Sequence, residues 1–251
     1  MAQRRMCNLA GVVVLAFLFP GSLPAAESAP SIEPRAAEIL TAALTHLAGV
    51  ASLTVRADVV DEVTLSTGEK IQYPGRLELS LRRPDRLRYT IDGEQRRIAA
   101  WYDGKEFSLL DSEKNVCAST PAALSLAALF DQMETSFGFR PPLSVLLRED
   151  SVAVMMKRIK SGFYVGRGDV GGVACHHLAF RQQNIDLQVW VAAEGTPAIR
   201  RLVVTRQKLP AAPQLSFTNL VWDFNASLGD DLFRFGPPAN AVRCEIRLLT
   251  K

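Results

Sequence analysis

Cys175, His176 and His177 stand side by side in "VACHHLAF", and thiolate and imidazole are common ligands of zinc and related metals. On an extended strand successive side chains point to opposite faces, so Cys175 and His177 share one face while His176 takes the other. His46 is the only other imidazole in the sequence, and no second cluster at zinc spacing accompanies it. No metal site is expected. Just upstream, "GRGDVGG" satisfies G-x-G-x-x-G through Gly166, Gly168 and Gly171. A dinucleotide site needs a strand before that loop and a helix after it. The residues that follow are strand-like, so the stretch reads as a hairpin and no cofactor is expected. Nucleophilic catalysis also lacks its parts: there is no G-x-S-x-G elbow, and three histidines leave little choice of general base. The acid pairs Asp61–Glu62 and Glu149–Asp150 project to different sides of their elements. No catalytic residue is nominated, and the chain is not expected to be an enzyme.

The remaining chemistry-bearing stretch is "LRRPDRLRY", residues 81–89, with four arginines in nine positions. Leu77, Leu79, Leu81, Leu87, Tyr89 and Ile91 are odd-numbered, whereas Arg82, Arg86 and Arg88 are even. Alternation places those three arginines on the polar, solvated face of a strand pair. Arg83 carries the apolar parity. Either a continuous strand aims it at the leucine side, where it would meet a polar head group or a lid carbonyl, or "RPDR" is a turn that frees it to solvent.

Charge gives no reason to expect nucleic acid. The chain has 29 Lys+Arg against 26 Asp+Glu, and removal of a leader carrying Arg4 and Arg5 leaves 27 against 26. That leader is expected over residues 1–26: a short basic start, the apolar run Leu9–Phe19, then "GSLPAAES" with cleavage near Ala25 or Ala26. The apolar run is short of the ~18 residues that a membrane span requires, so no integral membrane segment is expected in the mature chain. Residues 27–251 are expected to form a single domain in the periplasm. Export makes one disulfide permissible among Cys117, Cys175 and Cys244, and spacing does not choose among the three pairings.

The elements that must position these residues are mostly strands. Ala36, Ile39, Leu40, Ala43, Leu44 and Leu47 recur at helical spacing, so 34–49 is expected to be a helix ending at Gly49. From residue 53 the apolar period becomes two. Strands are expected over 53–65, 71–81, 86–91, 96–102, 106–110, 115–118, 163–166, 173–180, 185–192, 199–206 and 214–224, with short turns between many of them. A helical insertion interrupts the meander, with Thr120 as cap, Pro121 at its first position, and Leu126, Phe130, Met133 and Phe137 along one stripe. After "RPP" (140–142), Leu143 to Ile159 supply one or two more amphipathic turns. The fold expected is α+β: a large curved antiparallel sheet with the N-terminal helix and the insertion packed on one face.

The stretches "GRLELSLRRPDRLRYTIDG" and "WYDGKEFSLLDSEKNV" resemble the core of the periplasmic lipoprotein-carrier superfamily of LolA and LolB. "GGVACHHLAFRQQNIDLQVWV", "PAIRRLVVT" and "FTNLVWDFN" more closely resemble a family of predicted periplasmic proteins (domain of unknown function 2092) in the same superfamily. The resemblance implies a half-open barrel with a helical lid on its concave face. It places the family's lid-contacting arginine on Arg83 and its following bulky aromatic on Leu87, where leucine departs from the pattern. With the apolar faces above, the candidate ligand or lid contacts are Arg83, Leu87, Tyr89 and Trp101 on the strands. On the helices they are Phe130, Met133, Phe137, Met155 and Met156, the methionines being suited to an adaptable lining. The implied function is an exported binding or carrier module for an acyl chain, lipid or lipoprotein-like apolar ligand. The rival is a regulatory module that binds a periplasmic or inner-membrane protein.

Overall fold

The computed structural model describes residues 31–246, so the expected leader lies outside them. Helix α1 (Pro34–Gly49) comes first and is followed by six strands: β1 (Ser52–Thr64), β2 (Lys70–Arg82), β3 (Arg86–Gly93), β4 (Arg97–Tyr102), β5 (Glu106–Asp111) and β6 (Val116–Pro121). Three helices interrupt: α2 (Leu126–Phe137), α3 (Ser144–Leu147) and α4 (Ser151–Arg158). The chain then returns through β7 (Ser161–Val170), β8 (Val173–Arg181), β9 (Ile185–Ala192), β10 (Ile199–Arg206) and β11 (Gln214–Asp223), and ends in the short β12 (Val242–Cys244).

All twelve strands form one sheet in the order β12-β6-β5-β4-β3-β2-β1-β11-β10-β9-β8-β7. The first and last members do not pair, so the barrel stays half open. Every pairing is antiparallel except β12 with β6, which is parallel. The period-two pattern selects the inner face. Leu77, Leu79 and Leu81 of β2 stand opposite Ile91, Tyr89 and Leu87 of β3, and all but Ile91 are at most 2 % exposed. A register slip of one residue would turn this whole set outward.

Helix α1 begins with Pro34 at its first turn and buries Ala36, Leu40, Ala43, Leu44 and Leu47, packing on β7, β8 and β9 and on α3 and α4. Each fully buried leucine contributes about 1.5–3 kcal/mol relative to exposure, which fixes the helix on the inner face. Helix α2 starts later than its composition suggests. Ser125 is the cap, its side chain accepting from the Ala128 N–H. Thr120 and Pro121, expected to open the helix, instead finish β6 opposite Phe107 and Glu106. Proline suits the end of a strand as well as the first turn of a helix, and here strand pairing decides.

"GRGDVGG" is a hairpin, but its first residues belong to β7, which runs on to Val170; Gly171 and Gly172 form the turn with φ of 61° and 81°. The three cysteines are free: Cys117 and Cys175 are buried and Cys244 is exposed. Cys244 lies opposite Ala118 rather than Cys117 in the β12–β6 ladder. Among the described residues no helix is long and apolar enough to cross a membrane.

Candidate functional site

Between α2 and α3 the chain cannot stay helical. Gly138 ends α2 in the left-handed region (φ 64°), its N–H donating to the Glu134 carbonyl while the Phe139 N–H donates to that of Met133. Pro141 and Pro142 follow at once, and neither can donate the backbone hydrogen bond that a continuing helix would require. Residues Phe139–Leu143 are thereby drawn out as a strap across the concave side of the sheet. Leu143, itself at φ 55°, then turns the chain into α3.

Two cavities lie beneath this strap. One of about 330 Å³ is lined by Leu146, Met155, Leu187, Leu202 and Val204. The other, of about 240 Å³, is lined by Val59, Tyr89, Ile91, Ile98 and Phe139. Arg140, Pro142, Leu215 and Phe217 border both. The strap is therefore a shared roof and β11 a shared floor, and the two spaces are lobes of one apolar cleft. The larger sits at the small end of the range for ligand sites, ~300–1,000 Å³, and the smaller falls below it.

The lid is tied to the sheet by Arg83. "RPDR" is a turn, closing the β2–β3 hairpin, yet it does not release the guanidinium to solvent. Arg83 Nε donates to the Val50 carbonyl at 3.1 Å, and Nη2 donates to the carbonyls of Leu47 at 3.1 Å and Leu147 at 2.8 Å. Nη1 stands 2.9 Å from Glu149 Oε1, close enough for charge pairing but without the alignment of a hydrogen bond. Only 12 % of the side chain is exposed. One residue thus joins the β2–β3 turn, the end of α1 and the end of α3.

A second anchor holds the lid together. Arg148 reaches Asp131 of α2 at 2.8 Å and also pairs with Asp150. The hydrogen bond from Arg148 outweighs burial and holds the Asp150 carboxyl below its ordinary range. Tyr102 donates its hydroxyl to the Ala123 carbonyl. Burial, with the nearby Asp85 charge, pushes that phenol up to about 12.

Tyr89 is different. It lines the smaller lobe, is 1 % exposed, and its hydroxyl has no hydrogen-bond partner. Burial alone drives its pKa far up, so it is a neutral donor at any physiological pH. An unmatched buried hydroxyl costs about 1–3 kcal/mol, and that cost falls at the wall of a cavity.

Of the residues expected at the site, the structure brings Tyr89 and Met155 to the two lobes. Leu87, Phe130 and Met133 are buried in the packed core, with the partly buried Phe137 and Met156 against it. Trp101 is on the opposite face. It pairs across the ladder with outward Arg88, lies 4.9 Å from Phe235, and is removed from the lid contacts. That outer face is not bare solvent as expected for the arginines. A 3-10 turn, Asp230–Phe233, lies over it: Arg82 donates to the Leu228 carbonyl at 2.8 Å, pairs with Asp230 and stands 5.5 Å from the fully buried Phe233 ring. The strap itself was missed; its only sequence signal is the Gly-Phe-Arg-Pro-Pro break between two helical stripes.

The cysteine and histidines sit on β8 away from the cleft. His176 Nδ1 is 3.1 Å from the Tyr164 hydroxyl, and His177 stacks on Trp190 at 4.0 Å. Burial lowers both imidazole pKa values. Among the described residues no three His, Cys, Asp or Glu side chains converge as a metal site would require.

An open twelve-stranded barrel whose concave side is closed by latched helices over an apolar cleft defines a lidded half-barrel protein. Residues 36–247 match the family described as "Predicted periplasmic protein (DUF2092)", and the chain belongs to it. No curated protein matches. Solved structures resemble it distantly. LprF from Mycobacterium bovis is 11 % identical with a TM-score of 0.46, over 85 % of this chain and 99 % of its own. The lipoprotein LppX from Mycobacterium tuberculosis is 11 % identical with a TM-score of 0.49, over 78 % and 100 %. The MucA/MucB complex of Pseudomonas aeruginosa is matched at 12 % identity and a TM-score of 0.36, over 80 % and 61 %.

Proposed function

We propose that this protein binds the acyl chain of a lipid or lipidated ligand in the periplasm, holding it in the cleft between the strap and the sheet. The observation that carries the reading is the pair of apolar lobes sharing one roof and one floor, under a strap whose flanking helices are tied down by Arg83 and Arg148. Arg83 and Arg148 add hydrogen bonds and ion pairs to helices that also bury Phe130, Met133 and Leu147 in the core shared with the sheet, so the strap between them is the part free to move. Loading then requires the strap to lift while the half-barrel stays folded. Native mass spectrometry of protein purified from its own periplasm tests this. A co-purifying acyl-chain ligand released by mild organic extraction supports it; an apo mass, together with no uptake of an environment-sensitive apolar dye by the folded protein, refutes it.

A regulatory module that binds a protein partner is the second reading. It is supported by β7, an edge strand with Phe163 and Val165 exposed at 57 % and 47 %. Residues 31–33 already cover that edge at Gly162, and the Tyr164 N–H donates to the Glu33 carboxylate, so an incoming extended peptide would add beyond Tyr164, beside Val165. Co-purification of a stoichiometric protein, lost on Phe163→Asp, would favour it over the lipid reading.

A further inference from the structure

The larger lobe has a charged mouth whose lining carries charge of one sign, whereas the smaller lobe balances Asp61 and Glu94 against Arg96 and Arg140. The titratable residues that line the larger lobe are Arg140, Arg158 and Arg206, with no carboxylate among the lining. Glu134 serves both Arg140 and Arg158, the latter at 3.4 Å, while Arg206 is held by Asp61 at 2.7 Å. Burial would raise the Glu134 pKa, but the hydrogen bond from Arg140 and the charges of Arg140 and Arg158 overcome it and keep the carboxylate ionised. Outside the lobe, Arg140 and Arg158 continue into a polar cleft of about 640 Å³ that adds Arg148, Lys157 and Lys160. Arg148 is satisfied by its two aspartates. Among the described residues no carboxylate lies within ion-pair distance of either lysine.

Six cations therefore surround this mouth with four carboxylates, Asp61, Asp131, Glu134 and Asp150. The local surplus of two exceeds the surplus of one left on the whole chain beyond residue 26, where 27 basic residues face 26 acidic ones. Charge so concentrated, at the rim of a cavity whose deeper lining is Leu, Met, Val and Phe, is not a scattered solvated face. Arginine's planar fork matches the oxygens of carboxylate and phosphate, and a guanidinium that shares its carboxylate retains free donors for a second anion.

We infer that the ligand is an anionic amphiphile: an acyl chain lying in the apolar lobe with a carboxylate or phosphate head held by Arg140, Arg158 and Arg206. The inference rests on the acyl-binding reading and adds the chemistry of the head group. An uncharged chain of the same length would fill the lobe equally well but leave the mouth unmatched.

Isothermal titration of the full mature chain with laurate, lauryl phosphate and lauryl alcohol, each below its critical micelle concentration, separates the two claims. Laurate and lauryl phosphate are expected to bind about fivefold to tenfold more tightly than lauryl alcohol, the discrimination of one partly exposed charge-assisted contact. That preference is expected to shrink as ionic strength rises. In the double variant Arg158→Gln/Arg206→Gln the preference should vanish while the alcohol binds as before, which also reports that the variant is folded. If the double variant does not fold, the wild-type ratio and its salt dependence decide alone. The stronger of the two anions tells a free acid from a phospholipid source. Lauryl alcohol binding as tightly as laurate to the wild type overturns this inference and leaves the acyl-binding reading standing. Failure of all three to bind overturns both.

Discussion

Replacing Arg83 by leucine tests whether one guanidinium holds the lid. The substitution removes three hydrogen bonds to the Leu47, Val50 and Leu147 carbonyls and the charge contact with Glu149. Hydrogen bonds to a charged donor are worth about 1.5–3 kcal/mol each. The arginine is largely buried, however, so relief of its desolvation offsets part of that loss, and half-exposed Glu149 adds little. A net cost of ~3 kcal/mol is expected, near the lower end for breaking a buried charged contact. For a domain of this size each kcal/mol moves the midpoint by about 2–4 °C, so the melting temperature should fall by about 6–12 °C. Arg86→Leu is the control, because Arg86 pairs only with its neighbour Asp85 and bonds that residue's carbonyl. Arg83→Lys should recover part of the loss, since an ammonium is a point charge and cannot span three acceptors as a fork does. The measurement is thermal unfolding by circular dichroism alongside the rate of apolar-dye uptake, which should rise in Arg83→Leu alone. Midpoints within a degree of each other for Arg83→Leu and Arg86→Leu, with equal uptake rates, would refute the latch.

Tyr89→Phe should raise the apo melting temperature, by the equivalent of about 1 kcal/mol, because it deletes a buried hydroxyl with no partner; a drop in differential scanning fluorimetry would mean that the hydroxyl is satisfied. Gly162→Ala should destabilise by about 1–3 kcal/mol, since a Cβ there would overlap the Phe180 ring, and an unchanged urea midpoint would contradict the packing. Asp150 and Glu134 have folded-state pKa values below their ordinary ones. Their contribution is therefore fully present above the unfolded carboxylate values and is lost as pH falls through the folded ones. Stability should stay flat from neutral pH to about 5 and decline below about 4, and Arg148→Met should flatten that decline; an acid limb of the same slope in both proteins would remove the Arg148 cluster from the account.

Strands β1–β11 were legible because one face of each is buried, and burial writes period two into the sequence; β12, exposed throughout, was not foreseen. Helix α1 was legible from the helical spacing of its alanines and leucines and from Gly49 at its end. Trp101 misled because parity is not conserved through a turn. Leu87 pairs with Tyr102 and Arg88 with Trp101, so the inner set changes from odd to even numbers between β3 and β4, and only the ladder register reveals it. Thr120 and Pro121 misled because the cost of pairing with β5 is settled by residues more than ten positions away. The strap carries no period at all, only the glycine and prolines that end its neighbours, so its role as roof was not readable. For Arg83, parity offers a concave-facing strand and the "RPDR" sequence offers a free turn. The structure takes neither, since the turn forms and the long side chain folds back beneath the lid.

The acceptors of Arg83 also bear on how the chain reaches this fold. The last carbonyls of a helix have no partner within it, and many helices solve this locally with a glycine in the left-handed conformation. Helices α1 and α3 do not: the residues after them, Val50 and Arg148, are extended. Leu47 and Leu147 instead give their carbonyls to a side chain 36 and 64 positions away in sequence. Neither helix can complete its C-terminus until the β2–β3 hairpin has formed and turned Arg83 inward. Helix ends finished by a distant residue tie the secondary structure to the tertiary topology, and an excised 31–50 peptide should be far less helical than the same segment in the protein.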